Sequence, residues 1–187
     1  LATYTFTYLF LTYIKNNNLN DFNINSIWWI CLNVFLTLLA YPLIPLLERL
    51  FGFTSSITLA ELSDLNNNLL KELSIKAPGT FQHVLHVATL AEAASEKIGA
   101  NSTMARVGAL YHDIGKMKNP FNFTENQNNV NPHDSLDCVT SAKIIIEHVP
   151  EGVRIGKKFG LPSVIIEFIK THHGTTKVEY FYRKFMK

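Results

Sequence analysis

Tyr111-His112-Asp113-Ile114-Gly115-Lys116 is the stretch on which the reading of the whole chain turns. An adjacent His-Asp pair sets an imidazole beside a carboxylate, and each carboxylate oxygen can take a metal ion, so Asp113 can bridge two ions while His112 binds one. Gly115 suggests a sharp turn after the pair, and Lys116 offers a cation to whatever anion the metals hold. A lone His-Asp dipeptide is common. Its weight here comes from the other histidines, His83 upstream and His148, His172 and His173 downstream.

Working outward, Ser102 to His112 reads as a helix whose small residues Ala105, Gly108 and Ala109 permit close packing. Before it, Thr80 to about Ile98 reads as a long helix stopped by Gly99, with His83, Val87, Leu90, Ala91 and Ala94 on one face. Thr58 with Glu61 fits a capping box, which predicts a helix start near Leu59. The three asparagines at 66 to 68 interrupt that helix.

After the pair, residues 117 to 134 are polar and without period, a long loop of the kind often found beside a site. Ser135 is positioned to cap a helix that runs through Val149 and ends at Pro150. Glu151 to Phe159 predicts a short helix closed by Gly160. The next starts at Pro162-Ser163 and ends at His172-His173-Gly174, and a last one begins near Val178. No stretch after Ser55 alternates as a strand does, so this part reads as all-α.

The N-terminal third differs. Residues 27 to 47 carry no charge, are about twenty in number, and open on Trp28 and Trp29, which predicts a transmembrane helix. Residues 1 to 14 are apolar and read as the tail of a preceding span, the first of two and truncated. Residue 1 is Leu and lies inside an apolar run, so an excerpt of a longer protein is expected. The expected division is a membrane part over 1–52 and a helical domain over 57–187.

Composition excludes some classes. A net charge of +2 does not argue for nucleic acid. Cys31 and Cys138 match no metal or redox spacing, so neither a disulfide framework nor a thiolate zinc site is expected. Imidazole and carboxylate ligands suit Fe, Mn, Zn, Co or Ni. Two ions bridged by a carboxylate are suited to phosphoester hydrolysis, because they activate water and clamp a phosphoryl group.

An ordered set of motifs carries a resemblance. Glu-Leu-Ser-Asp-Leu-Asn at 61–66, Ala-Pro-Gly-Thr at 77–80, Ala-Arg-Val-Gly-Ala at 105–109, His-Asp-Ile-Gly-Lys, Glu-Asn-Gln at 125–127, Asn-Pro-His-Asp at 131–134 and His-His-Gly-Thr-Thr at 172–176 follow one another. Together they closely resemble the bacterial seven-transmembrane HD-domain proteins, which are cyclic di-AMP phosphodiesterases. The resemblance covers about residue 57 to the end, and the two apolar runs resemble the last two spans before the HD domain.

It implies an all-α HD phosphohydrolase core with two divalent ions, iron or manganese. One ion would take His83, His112 and Asp113; the other Asp113, His148, His172 and His173. It implies Asp113 and Lys116 as catalytic residues, with Lys116 and His133 as substrate contacts, and His86 as a packing or outer-shell residue. It places the family's final ligand Asp beyond Lys187, so a protein ending there is expected to bind one metal poorly and be inactive. The implied partners are cyclic di-AMP and the lipid bilayer, with a homodimer left open. The implied location is a bacterial cell membrane, multi-pass, with the HD domain in the cytoplasm. Two alternatives stand beside this reading: an HD phosphohydrolase acting on another nucleotide, and a non-catalytic nucleotide-sensing receptor.

Overall fold

The structure is a computed structural model that describes residues 3, 6–8, 10–11 and 24–187. Most of the expected first span, 1 to 14, therefore lies outside the described residues. All regular structure among the described residues is helical. The chain divides into two compact units, Leu1–Phe53 and Thr54–Lys187.

In the first unit, helix α1 runs Ile24–Phe51 with Pro42 and Pro45 inside it. Within it, Trp28–Glu48 is long and apolar enough to cross a membrane, by length and composition. Trp28, Trp29, Phe35, Leu38, Tyr41 and Leu46 are all exposed. Its few polar groups turn back on their own helix. Asn33 Nδ2 donates to the Trp29 carbonyl at 2.9 Å, and Thr37 Oγ1 to the Asn33 carbonyl at 2.8 Å. Such internal satisfaction is what an apolar surrounding demands.

The second unit holds eight α-helices: α2 (Ser56–Ser63), α3 (Asn68–Lys76), α4 (Pro78–Lys97), α5 (Ser102–Tyr111), α6 (Cys138–Ile146), α7 (His148–Lys158), α8 (Ser163–Thr171) and α9 (Glu179–Phe185). Four short 3-10 turns, Ile114–Lys118, Pro120–Asn122, Thr124–Asn126 and Pro132–Ser135, occupy the polar stretch between α5 and α6.

Several helix ends differ from expectation because another side chain captured the first free amides. Ser55 caps α2 by accepting from the Thr58 amide, so this helix begins three residues earlier than a Thr58–Glu61 box would have it. Asp137, not Ser135, caps α6, accepting from the Val139 and Thr140 amides. Helix α6 then ends at Ile146, and Pro150 lies in the first turn of α7 rather than ending its predecessor. That first turn tolerates proline because its amides lack intrahelical partners. Pro78 likewise opens α4. Asn67 caps α3 and Asn101 caps α5, each through its side-chain oxygen.

The core is made by Leu69, Leu70 and Leu73 of α3, Val84 and Ala88 of α4, Val107 and Leu110 of α5, Ile114, and Ile165 and Ile169 of α8. On α4 the buried stripe is Thr80, Val84 and Ala88, spaced by four. Leu90, on the face shared with His83 and Val87, is 71 % exposed. Tyr111 ties α5 to α2, its hydroxyl donating to the Leu62 carbonyl at 3.0 Å.

Two glycines let elements approach closely enough to shape the site. A Cβ on Gly108 would lie 2.4 Å from the Phe168 ring, so α5 and α8 meet only because it is absent. A Cβ on Gly115 would stand 1.8 Å from the His148 carbonyl oxygen. Gly115 lies in the 3-10 turn Ile114–Lys118 that follows the pair; its φ is not among the positive ones, and its missing side chain is what admits the first turn of α7.

Candidate metal centre

Every histidine that the sequence singled out as a ligand sits on α4 or beside a helix end. His112 follows α5 as its C-cap, His148 opens α7 just past the end of α6, and His172 follows α8 as its C-cap. The last carbonyls of a helix lack partners within it. Three of them are used here. His112 Nδ1 lies 2.7 Å from the Ala109 oxygen, His148 Nδ1 2.5 Å from that of Ile145, and His172 Nδ1 2.8 Å from that of Ile169. A carbonyl only accepts, so each Nδ1 carries the proton and each ring turns its Nε2 away from its helix. This fixes both tautomer and aim, as backbone partners do for metal-binding imidazoles.

The six residues expected as ligands come together around the Asp113 carboxylate, itself 3 % exposed. They form two groups: His83, His112 and Asp113, and His148, His172 and His173. The two oxygens of Asp113 face different groups. Oδ2 lies 3.1 Å from His112 Nε2 and 3.7 Å from His83 Nε2. Oδ1 lies 3.3 Å from His148 Nε2 and 3.6 Å from His172 Nε2.

The second group is short of protons. His148 Nε2 is 3.3 Å from His172 Nε2 and 3.2 Å from His173 Nε2. With the Nδ1 atoms of His148 and His172 protonated, lone pairs converge there. Asp113 Oδ1 is buried with no hydrogen bond of acceptable geometry. Burial of a carboxylate oxygen facing imidazole lone pairs is costly unless a cation joins them. The donor set of nitrogens and carboxylate oxygen fits a divalent ion of the borderline class.

Protonation does not follow the same division. Burial lowers His172 to about 4, and it also lowers His83 and His173, so these rings are neutral and ligand-ready near neutral pH. His112 moves the other way. Burial opposes its charge, but its hydrogen bond to Asp113 outweighs that and raises it. Asp113 is pushed up by burial, yet the His112 hydrogen bond and the Lys116 charge prevail and hold it below the usual carboxylate range.

Lys116 is placed directly on the site. Its Nζ is 2.9 Å from Asp113 Oδ2 and 2.8 Å from Glu125 Oε1, and it lies 4.9 Å from the centre of the Phe123 ring. His133 belongs to neither group. It is 5 % exposed, its Nε2 lies 3.0 Å from the Asn122 carbonyl oxygen, and its ring packs against Phe181. His86 is exposed rather than packed. Sequence reasoning missed Thr80 and Glu125 as members of the surroundings, although both lie in motifs it had singled out. Glu125 Oε1 accepts from Thr80 Oγ1 at 3.0 Å as well as from Lys116.

With this geometry in hand, three comparisons are informative. The chain is 47 % identical over 148 residues to the cyclic-di-AMP phosphodiesterase PgpH of Listeria monocytogenes, covering 79 % of this chain and 21 % of that protein. It is 43 % identical over 149 residues to PgpH of Bacillus subtilis, again with 79 % and 21 % covered. The chain thus spans about a fifth of the length of these relatives. A crystal structure of the L. monocytogenes PgpH HD domain in complex with cyclic di-AMP superimposes with a TM-score of 0.62 at 49 % identity, covering 65 % of this chain and 57 % of that one. The HD-domain family model matches residues 80–183, which hold all six converging His and Asp residues, and the chain belongs to the HD-domain family.

Proposed function

We propose that this chain is the HD-domain portion, with an adjoining membrane helix, of a phosphodiesterase that hydrolyses cyclic di-AMP to linear pApA. The observation that carries the reading is the divided Asp113 carboxylate, with one oxygen toward each imidazole group. The similarity to PgpH proteins, and to an HD domain solved with cyclic di-AMP, supports the substrate.

In this reading His83, His112 and Asp113 hold one divalent ion, and Asp113, His148, His172 and His173 hold the other, with iron or manganese as the metals. When bound, two such ions supply Lewis acidity toward a phosphoryl oxygen and a nucleophile at neutral pH. The chain's own residues do the rest. Backbone carbonyls of Ala109, Ile145 and Ile169 keep three imidazoles aimed and in one tautomer, so little reorganisation accompanies the reaction. Lys116 contributes positive charge beside Asp113, where a phosphodiester would bring negative charge. His133, whose Nε2 lies 3.0 Å from the Asn122 carbonyl oxygen, is with Lys116 the proposed substrate contact. The Trp28–Glu48 helix, long and apolar enough to cross a membrane, supports attachment to a bacterial membrane; the further spans rest on the resemblance, and the cytoplasmic side for the HD domain rests on the substrate being cytosolic.

The test is turnover by the full-length protein, purified in detergent and loaded with Mn or Fe. Cyclic di-AMP, cyclic di-GMP and a guanosine polyphosphate are supplied separately, and products are followed by chromatography. Formation of pApA, abolished by Asp113→Ala, is the expected result. Cleavage of another substrate would retain the metal centre and discard cyclic di-AMP. Tight nucleotide binding without turnover would favour the receptor reading.

A further inference from the structure

The Ala77-Pro78-Gly79-Thr80 and Glu125-Asn126-Gln127 motifs are remote in sequence and carry none of the metal-facing residues, yet they are locked together beside them. Thr80 Oγ1 donates to Glu125 Oε1 at 3.0 Å, Asn126 Nδ2 donates to Thr80 Oγ1 at 2.8 Å, and the Thr80 amide donates to Asn126 Oδ1 at 3.2 Å. Gly79 allows this contact, since a Cβ there would stand 1.8 Å from the Glu125 carbonyl oxygen. Glu125 is therefore a carboxylate clamped to the first turn of α4. What it faces is the Lys116 ammonium, 2.8 Å away, which simultaneously sits 2.9 Å from Asp113 Oδ2.

One ammonium is thus shared between two carboxylates, and one of them is the proposed metal bridge. A divalent cation and an ammonium compete for the same oxygen, because two positive charges within a few ångströms repel strongly in a partly buried place. Lysine differs from its neighbours in having a flexible stem, so it is the member able to move. The clamped Glu125 is the acceptor that can take it.

We propose that Glu125 is a positioning residue that sets the cation affinity of the Asp113 site: it draws Lys116 off Asp113 Oδ2 and so frees that oxygen for a divalent ion. This rests on the metal reading above and adds to it a competitor, Lys116, and a relief group, Glu125 with Thr80 behind it. The ordering of effects follows. Loss of Glu125 leaves Lys116 on Asp113 and weakens the ion. Loss of Lys116 removes the competitor and tightens the ion. With Lys116 gone, Glu125 has nothing left to draw away.

The experiment is Mn(II) titration by calorimetry on the whole chain in detergent, comparing wild type, Glu125→Gln, Lys116→Met and the double variant. Circular dichroism melts in EDTA verify that each one folds. Glu125→Gln is expected to weaken Mn(II) binding about tenfold, in the range of lost outer-shell partners. Lys116→Met is expected to tighten it, and Glu125→Gln is expected to cost less than about twofold in the Lys116→Met background, the coupling expected of contacting residues. Thr80→Val, which leaves both charges in place, is expected to reproduce a smaller share of the Glu125→Gln loss and serves if that variant does not fold. Equal losses from Glu125→Gln in both backgrounds, or weaker binding in Lys116→Met, would overturn the proposal and leave the metal centre standing. Absence of Mn(II) binding by the folded wild type would overturn the metal reading itself.

Discussion

The two halves of the Asp113 site are built from the same residue types and are electrostatic opposites. On the Oδ2 side stand a lysine ammonium at 2.9 Å and the raised imidazole of His112 at 3.1 Å. That oxygen already has an ammonium and a hydrogen-bonded imidazole as partners. On the Oδ1 side stand the imidazoles of His148, His172 and His173, the Nε2 of His148 lying 3.3 Å and 3.2 Å from those of His172 and His173, and a buried oxygen that lacks a hydrogen bond. With the Nδ1 atoms of His148 and His172 protonated toward carbonyls, the Nε2 lone pairs of these two rings face each other beside that oxygen. The difference teaches that a carboxylate can be held in a bridging orientation by one cation-rich and one cation-poor neighbour, and that the cation-poor half gains more from a metal ion.

The largest effect should come from removing what both halves share. Asp113→Ala is expected to lower Mn(II) affinity at both sites by more than about a hundredfold, beyond what outer-shell losses usually cost, as read by calorimetry, and to abolish turnover. If only one class of site were lost, the carboxylate would not be a bridge.

Next in size is the contrast between halves. His172→Ala is expected to cost more metal affinity than His83→Ala. His172 is carbonyl-anchored and faces the unsatisfied oxygen, whereas the His83 side chain is 45 % exposed and 3.7 Å from Oδ2. Equal losses in the two variants would break the comparison.

A smaller effect tests how the halves are brought together. Gly115→Ala forces a methyl against the His148 carbonyl and is expected to destabilise the metal-free protein by about 1–3 kcal/mol, the usual cost of overpacking. Thermal melts in EDTA measure this, and metal affinity should fall preferentially on the His148 side.

The smallest effect is pH-dependent stability without metal. Folded His172 takes up its proton only near pH 4, whereas an unfolded histidine does so near 6.5, so the unfolded state binds more protons between these values. Stability should therefore fall as pH drops from about 6.5 to about 4. His83 and His173, lowered by burial, add to the same slope. His112, raised by Asp113, contributes stability that is lost on the alkaline side, as pH rises through its folded value. Melts in EDTA across this range check the sign, and a flat profile would contradict the lowering of His172, His173 and His83 by burial.

Much of this was legible beforehand. Helical character, the order of His83, His112-Asp113, His148 and His172-His173, and the apolar stretch at 27 to 47 are all local in sequence. Helix boundaries were less legible, since Ser55 and Asp137 compete with equally plausible caps nearby and only the final packing selects between them. The motifs holding Glu125 and Thr80 were legible, but their pairing was not, because the two residues lie 45 apart in sequence.

The sequence by itself determined which atoms are available: imidazole and carboxylate donors on amphipathic helices or beside their ends, and an apolar stretch at 27 to 47 suited to an apolar surrounding. Only the tertiary structure decided how they are used. Which oxygen of Asp113 meets which imidazole depends on α4, α5, α7 and α8 meeting, and that depends on two missing side chains, Gly108 against Phe168 and Gly115 against His148. The physical reason is that periodicity and capping act over a few residues, whereas lone pairs are forced to converge only when burial of a shared core fixes distant helix ends against one another.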